Sequence, residues 1–154
     1  KNPINRAKIV FFHLKTTDFQ WENYEDLKKY KIGEVEGYVT SNVLRDKGVP
    51  VELVKTEEEN MKKLFEGKID ITSNNYLVGY NLINKLFSDE QSSLFTNHSK
   101  VVFPETGSYF MISKKHPKGK ELMDRFNKGF YKLLKSGRYV EIIKESMQNS
   151  HFKK

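Results

Sequence analysis

Apolar residues along this chain come in short unbroken runs, and between the runs they fall at helical spacing. Ala7 to Lys15 is β-rich, and its four successive apolar residues, Ile9-Val10-Phe11-Phe12, predict a strand buried on both faces. Lys31–Glu36, Pro50–Lys55 and Lys68–Ser73 read as further strands. A helix carrying Val43 and Leu44 is expected between the first two of these, opened by Thr40-Ser41 and stopped at Gly48. Thr56 and Glu59 have capping-box spacing ahead of Met61, Leu64 and Phe65, which line one helix face before Gly67 ends it. From Tyr76 to about Phe87, Val78, Leu82 and Leu86 recur at four-residue steps. Strands alternating with helices in this way imply parallel βαβ crossovers, hence an α/β sheet covered on both faces.

The flanks are read from the same signals. Asn2–Arg6 is polar, contains Pro3 and suits a linker or hinge. Asn23 with Asp26 marks a helix start for Tyr24 to Tyr30, and Asn74-Asn75 closes the Lys68–Ser73 strand. Ser99–Phe103 and Ser108–Ser113 read as two more strands around Pro104 and Gly107. Pro117 opens a long helix bearing Leu122, Phe126, Phe130, Leu133 and Leu134, which Gly137 stops. A last helix, from Arg138 to about Met147, carries Tyr139, Ile142, Ile143 and Met147.

The stretch from Lys31 to Gly48 carries the first candidate chemistry. Gly37 turns the chain at the strand's end, and a helix starts just beyond it. Such a start gathers unpaired N–H groups and the positive end of the helix dipole, a site suited to a carboxylate. An ordinary strand–turn–helix has the same pattern, and the hydroxyls of Thr40 and Ser41 are expected to cap the helix.

Composition narrows the remaining classes. At 154 residues the chain suits one domain with a real core, and no window approaches the roughly eighteen apolar residues of a membrane span. Lys1 is not an initiator methionine, so the sequence reads as a piece of a longer product. Cysteine is absent, which removes disulfides and thiolate metal sites and is compatible with an oxidising compartment. The formal charge of +7 resides in residues 114–154, with 12 Lys/Arg against 4 Asp/Glu. At these spacings the charge reads as the solvated face of an amphipathic helix. No aromatic-plus-basic platform accompanies it, so a nucleic-acid partner is not expected. His13, His98, His116 and His151 sit in unrelated contexts, and the sequence contains no HExxH, GxSxG, phosphate loop or GxGxxG. No catalytic residue, metal ligand or cofactor is assigned, and the chain is read as a non-enzyme. Glu34 and Glu36 are placed on one strand face as unpaired surface carboxylates.

Three segments together resemble a known family: DLKKYKIGEVEGY (Asp26–Tyr38), EENMKKLFEGKIDITSNNYLVGY (Glu58–Tyr80), and YFMISKKHP followed by FNKGFYKLLKSGRYVEII. Their order is similar to that of periplasmic solute-binding proteins of the polar amino-acid type, bacterial extracellular solute-binding protein family 3. The resemblance covers roughly residues 7–147. It implies one lobe of the two-lobed type II periplasmic binding fold: a βαβ parallel sheet with antiparallel hinge strands in residues 1–113, and a C-terminal helical pair in residues 114–154 that would pack on a first lobe. That lobe, and its ligand-clamping arginine, have no counterpart in this sequence.

The resemblance further implies capture of a small polar solute, amino-acid-like or an organic acid, for an ABC-type uptake transporter. A membrane permease would be the partner and the periplasm the compartment, reached by a signal peptide outside this segment. The alternative is the external sensing domain of a membrane receptor. Bare apolar helix faces at Phe126, Phe130, Tyr139 and Ile143 imply self-association or a missing first-lobe segment. Two ligand-binding segments carry over: Gly37-Tyr38-Val39-Thr40, matching a Gly-Thr-Thr-like loop that holds a carboxylate, and Asn74-Asn75. The family places an aspartate for a ligand ammonium where Asn75 stands here. Asn75 is therefore either a ligand contact that disfavours an ammonium group or a plain helix cap, with Glu36 a possible source of negative charge.

Overall fold

The computed structural model describes residues 3–104 and 106–149. Asn2 of the expected linker, His151 and the side chain of Met147 lie outside the described residues. The chain divides into two compact units, one of Ala7–Thr106 and one of Lys1–Arg6 with Gly107–Lys154.

The first unit is built on a five-stranded sheet in the order β4-β3-β5-β2-β6, comprising β2 (Ile9–Leu14), β3 (Ile32–Val35), β4 (Glu52–Val54), β5 (Ile71–Asn75) and β6 (Phe95–Val101). β3 is parallel to both neighbours, with Gly33 opposite Glu52 on one side and Ile32 opposite Ile71 on the other. β2 runs antiparallel to β5, Phe11 opposite Ser73, and antiparallel to β6. The expected βαβ sheet with antiparallel additions is therefore observed. The strand expected at Ser99–Phe103 starts earlier, at Phe95, because Leu14 to Val10 offers it an antiparallel partner, with a register shift between Val10 and Phe12.

The four-residue apolar run of β2 does what a doubly covered strand requires. Phe11 packs on one face with Phe19, Trp21, Leu27, Ile32, Leu44, Ile71 and Val102. Val10 and Phe12 pack on the other with Met61, Leu64, Ile69, Leu82, Ile83 and Phe95. Phe11 and Phe12 are wholly buried, each contributing about 1.5–3 kcal/mol in transfer free energy.

One face is covered by α1 (Val39–Asp46) and by a 3-10 helix, Tyr24–Lys29, that begins with the expected Asn23–Asp26 capping box. The other is covered by α2 (Glu57–Phe65) and α3 (Tyr76–Leu86). Thr56 accepts from Glu59 N as its spacing predicts. A short helix, α4 (Asp89–Ser92), follows with its own Ser88–Gln91 capping box, which the hydrophobic pattern did not signal. Gly33 lets α2 approach β3 closely, since a methyl there would overlap Asn60 Oδ1 and Ile69 Cδ1.

In the second unit the polar segment before Ala7 is not a bare linker. β1 (Asn5–Ala7) pairs with β7 (Thr106–Ser108), and Ile4 N donates to Ser108 O at 2.7 Å. The strand expected over Ser108–Ser113 ends at Ser108. α5 (Gly119–Lys135) and α6 (Arg138–Asn149) follow, with a positive φ of 78° at Gly137 between them. Aromatic rings join them: Phe110 stacks on Phe126 at 4.1 Å, Phe126 on Phe130 at 5.8 Å, and Phe130 meets Tyr139 edge-on. The Tyr139 hydroxyl donates to Ile4 O at 2.7 Å.

Candidate functional site

From β3 the chain passes through α1 to β4 on one side, and from β4 through α2 to β5 on the other. The strand order thus reverses between β3 and β5. In open α/β sheets the crevice outside the strand carboxyl ends at such a reversal is where ligands bind. Both expected ligand segments lie here, Gly37–Thr40 after β3 and Asn74-Asn75 at the end of β5.

The β3–α1 turn differs from expectation in its capping. Gly37 holds a φ of +79°, which glycine adopts without steric cost. Tyr38 is the N-cap and no side chain caps the helix. Thr40 and Ser41 fall inside the first turn, where a side chain no longer reaches the leading amides. The Ser41 hydroxyl instead donates back to Tyr38 O at 2.7 Å, and Thr40 turns inward to Glu34. The first-turn N–H groups of α1 are therefore left without a side-chain acceptor, which preserves the dipole end as an anion site. Tyr38 is half exposed, and its phenol, held up by the Glu57 charge, donates to that carboxylate on the α2 side. Val39 is exposed. Glu36 is exposed in the turn, where its N–H donates to Val54 O at 2.9 Å.

On the β5 side, Asn74 is buried and Asn75 half-buried. The Asn75 Oδ1 accepts from Leu77 N at 3.0 Å and Val78 N at 3.3 Å, capping α3. Its Oδ1 is thus committed to the cap. Tyr76 N donates to Lys8 O, and the Lys8 ammonium lies over the Tyr76 ring.

Glu34 is the residue that sequence reasoning placed wrongly. It is 1% exposed, not a surface carboxylate paired across a face with Glu36. As the third position of a strand flanked on both sides, it points into the α1-covered face beside Ile32. The registered β3–β5 ladder extends only to Gly33–Thr72, and beyond it Ser73 N donates to Glu34 Oε1 at 3.1 Å. The Ser73 hydroxyl donates to Oε2 at 2.9 Å, and the hydroxyl of the buried Thr40 also favours the ionised form. Burial outweighs these bonds and pushes the carboxyl from 4.5 up to about 7. His13 is half-buried beside Phe19, and burial holds it below its usual value.

No protein-family model and no curated protein sequence matches the chain. Solved structures match closely in shape. An amino acid ABC transporter substrate-binding protein from Streptococcus pneumoniae, bound to L-arginine, superposes with a TM-score of 0.75 at 17% identity, covering 99% of this chain and 62% of that one. EhuB in complex with hydroxyectoine gives 0.68 at 23% identity, covering 98% and 60%. A histidine kinase sensor domain with similarity to periplasmic binding proteins gives 0.69 at 18%, covering 93% and 60%. The chain has the α/β fold of these substrate-binding proteins and spans about three fifths of their length.

Proposed function

We propose that this chain forms part of a solute-binding protein that captures a small, carboxylate-bearing polar molecule without catalysis, in the service of an uptake transporter. The observation that carries the reading is the uncapped α1 amino terminus facing the crevice between β3 and β5. Gly37, Tyr38, Val39 and Thr40 would supply amides to the carboxylate, with Asn74 and Asn75 on the opposite wall. The likeness to structures solved with L-arginine and hydroxyectoine, both of which carry a carboxylate, supports the same chemistry. In this reading a second lobe closes over the solute in the periplasm, and a membrane permease senses the closed form. The apolar positions Phe126, Phe130, Tyr139 and Ile143 would meet that lobe or a second copy of the chain.

A sensing role is the second reading, favoured by the likeness to a histidine kinase sensor domain. Both readings place the solute in the same crevice. A transmembrane helix encoded after Lys154 would favour the sensor.

Asn75 makes the ligand preference testable. An amide does not neutralise an ammonium, and charged hydrogen bonds are roughly twice as strong as neutral ones. Losing one partner of a buried charge pair costs about 2–5 kcal/mol, or roughly one and a half to four decades in affinity. With the second lobe supplied, calorimetry with L-arginine, L-glutamine and simple organic acids is expected to show weak amino-acid binding by the wild type. Asn75→Asp, which keeps a good cap residue, is expected to improve at least one of them. Micromolar amino-acid binding unchanged by the substitution would refute the placement of Asn75 at the ligand.

A further inference from the structure

Glu34 joins the two walls of the crevice. On one wall it accepts from the amide and hydroxyl of Ser73, the residue before Asn74-Asn75. On the other it faces the buried Thr40, in the first turn of α1, whose hydroxyl favours the ionised carboxylate. The ladder between β3 and β5 is registered only as far as Gly33–Thr72, so beyond it the side chain takes the place of a backbone acceptor for Ser73 N. A carboxylate serving as an internal strand-to-helix tie is a costly choice where an amide or a longer ladder would satisfy the same donors. The tie reaches the first turn of α1, whose N–H groups no side chain caps.

Resting on the reading of this crevice as a solute site, we propose that Glu34 is a positioning residue: it sets the spacing between the α1 amino terminus and the Ser73–Asn75 wall, and its charge competes with an anionic ligand for the same helix end. When the carboxyl is ionised, a second carboxylate at the α1 amides meets like charge in a water-poor setting. When it is neutral, the helix end is open to the ligand. No charged side chain contributes to the state of Glu34. Charged and titratable groups on the surrounding elements are engaged elsewhere or exposed. Lys8 lies over Tyr76, Tyr38 bonds to Glu57, and His13 Nδ1 bonds to Leu14 O. Glu36, Arg45 and Asp46 are exposed.

The test is amide-resolved NMR on the chain, on Glu34→Gln and on Ser73→Ala, from pH 5 to 9, with acetate as the carboxylate probe. In the wild type, the amides of Ser73, Thr40 and Ser41 are expected to share one inflection near pH 7. Glu34→Gln is expected to abolish it, and Ser73→Ala, which removes one bond to the ionised form, to move it upward. Acetate binding, followed at Thr40 and Ser41, is expected to weaken about tenfold between pH 6 and pH 8, as the fraction of neutral carboxyl falls from about nine tenths to about one tenth. It should be independent of pH in Glu34→Gln. An inflection at Ser73 with none at Thr40 and Ser41, or identical acetate profiles in wild type and Glu34→Gln, would overturn the proposal. If acetate moves no amide of α1 or α3 in either protein, the solute-site reading fails, and the positioning role then stands or falls on the shared inflection alone.

Discussion

Ionising Glu34 inside the sheet must cost stability, and the cost has a definite sign and size. The carboxyl titrates near 4.5 when solvated and at about 7 in the fold. Between those values the folded chain binds more protons than the unfolded chain, so stability falls as pH rises and levels off above about pH 7. At 1.36 kcal/mol per pH unit the loss is about 3 kcal/mol. The opposite slope comes from His13 and His98, which burial holds below 6.5, so that acid charges them more readily in the unfolded chain. Comparing wild type with Glu34→Gln cancels the histidines and every other shared group. Urea denaturation followed by Trp21, the single tryptophan, reports on the unit that contains Glu34 because Trp21 packs against Phe11 at 5.4 Å. The stability of Glu34→Gln relative to wild type is expected to be constant below about pH 4.5 and to rise by about 3 kcal/mol by pH 8. A difference that stays flat from pH 4 to 8.5 would refute the argument. It would mean that the bonds from Ser73 and Thr40 offset the full cost of burial.

Further substitutions test the packing around this site. Gly33→Ala should destabilise by about 1–3 kcal/mol, the usual cost of overpacking, because its methyl meets Asn60 and Ile69; a thermal melt unchanged from wild type would contradict that close approach. Gly79→Ala should cost a similar amount by driving α3 into the Phe12 ring, read in the same melt. His13→Asn should flatten the acid limb of the stability profile below pH 6.5, since the group that resists charging is removed; an unaltered limb would assign the slope to another residue.

The central strand β2 was legible because it is buried on both faces and therefore shows as a continuous apolar run. Ile9 to Phe12 could belong to few other settings, and capping boxes at Asn23 and Thr56 marked helix starts independently of hydrophobicity. What escaped was set by pairing across the chain. The short β7 at Thr106–Ser108 depends on pairing with β1, distant in sequence, and β1 depends on the same pairing. At the site, the position of the β3–α1 turn was readable from Gly37, but the roles of Thr40 and Ser41 were not. Cap preference depends on which residue is the N-cap, and here that residue is Tyr38, so both hydroxyls were drawn into the first turn.

Glu34 was misplaced for an instructive reason. Two carboxylates two residues apart on a strand suggest a polar face, yet a parallel strand between two others has no solvent face to offer. The inference that the sheet is covered on both sides already required Glu34 to be buried, and a buried carboxylate requires partners. Ser73 and Thr40 are supplied by the two elements that the same topology brings beside β3. The misplacement of Glu34, and Asn75 standing where the resemblance leads one to expect an aspartate, thus concern one crevice. In place of the carboxylate absent at Asn75, the carboxyl of Glu34 lies beside the neighbouring Ser73. On the proposed reading, which ligands the crevice accepts depends on the ionisation of Glu34 as well as on Asn75. The double variant Asn75→Asp/Glu34→Gln separates the two: if Glu34 competes with the ligand carboxylate, the double variant should bind amino acids more tightly at pH 8 than Asn75→Asp alone, and equally at pH 5. Equal affinities at both pH values would remove Glu34 from ligand selection and leave it a structural tie.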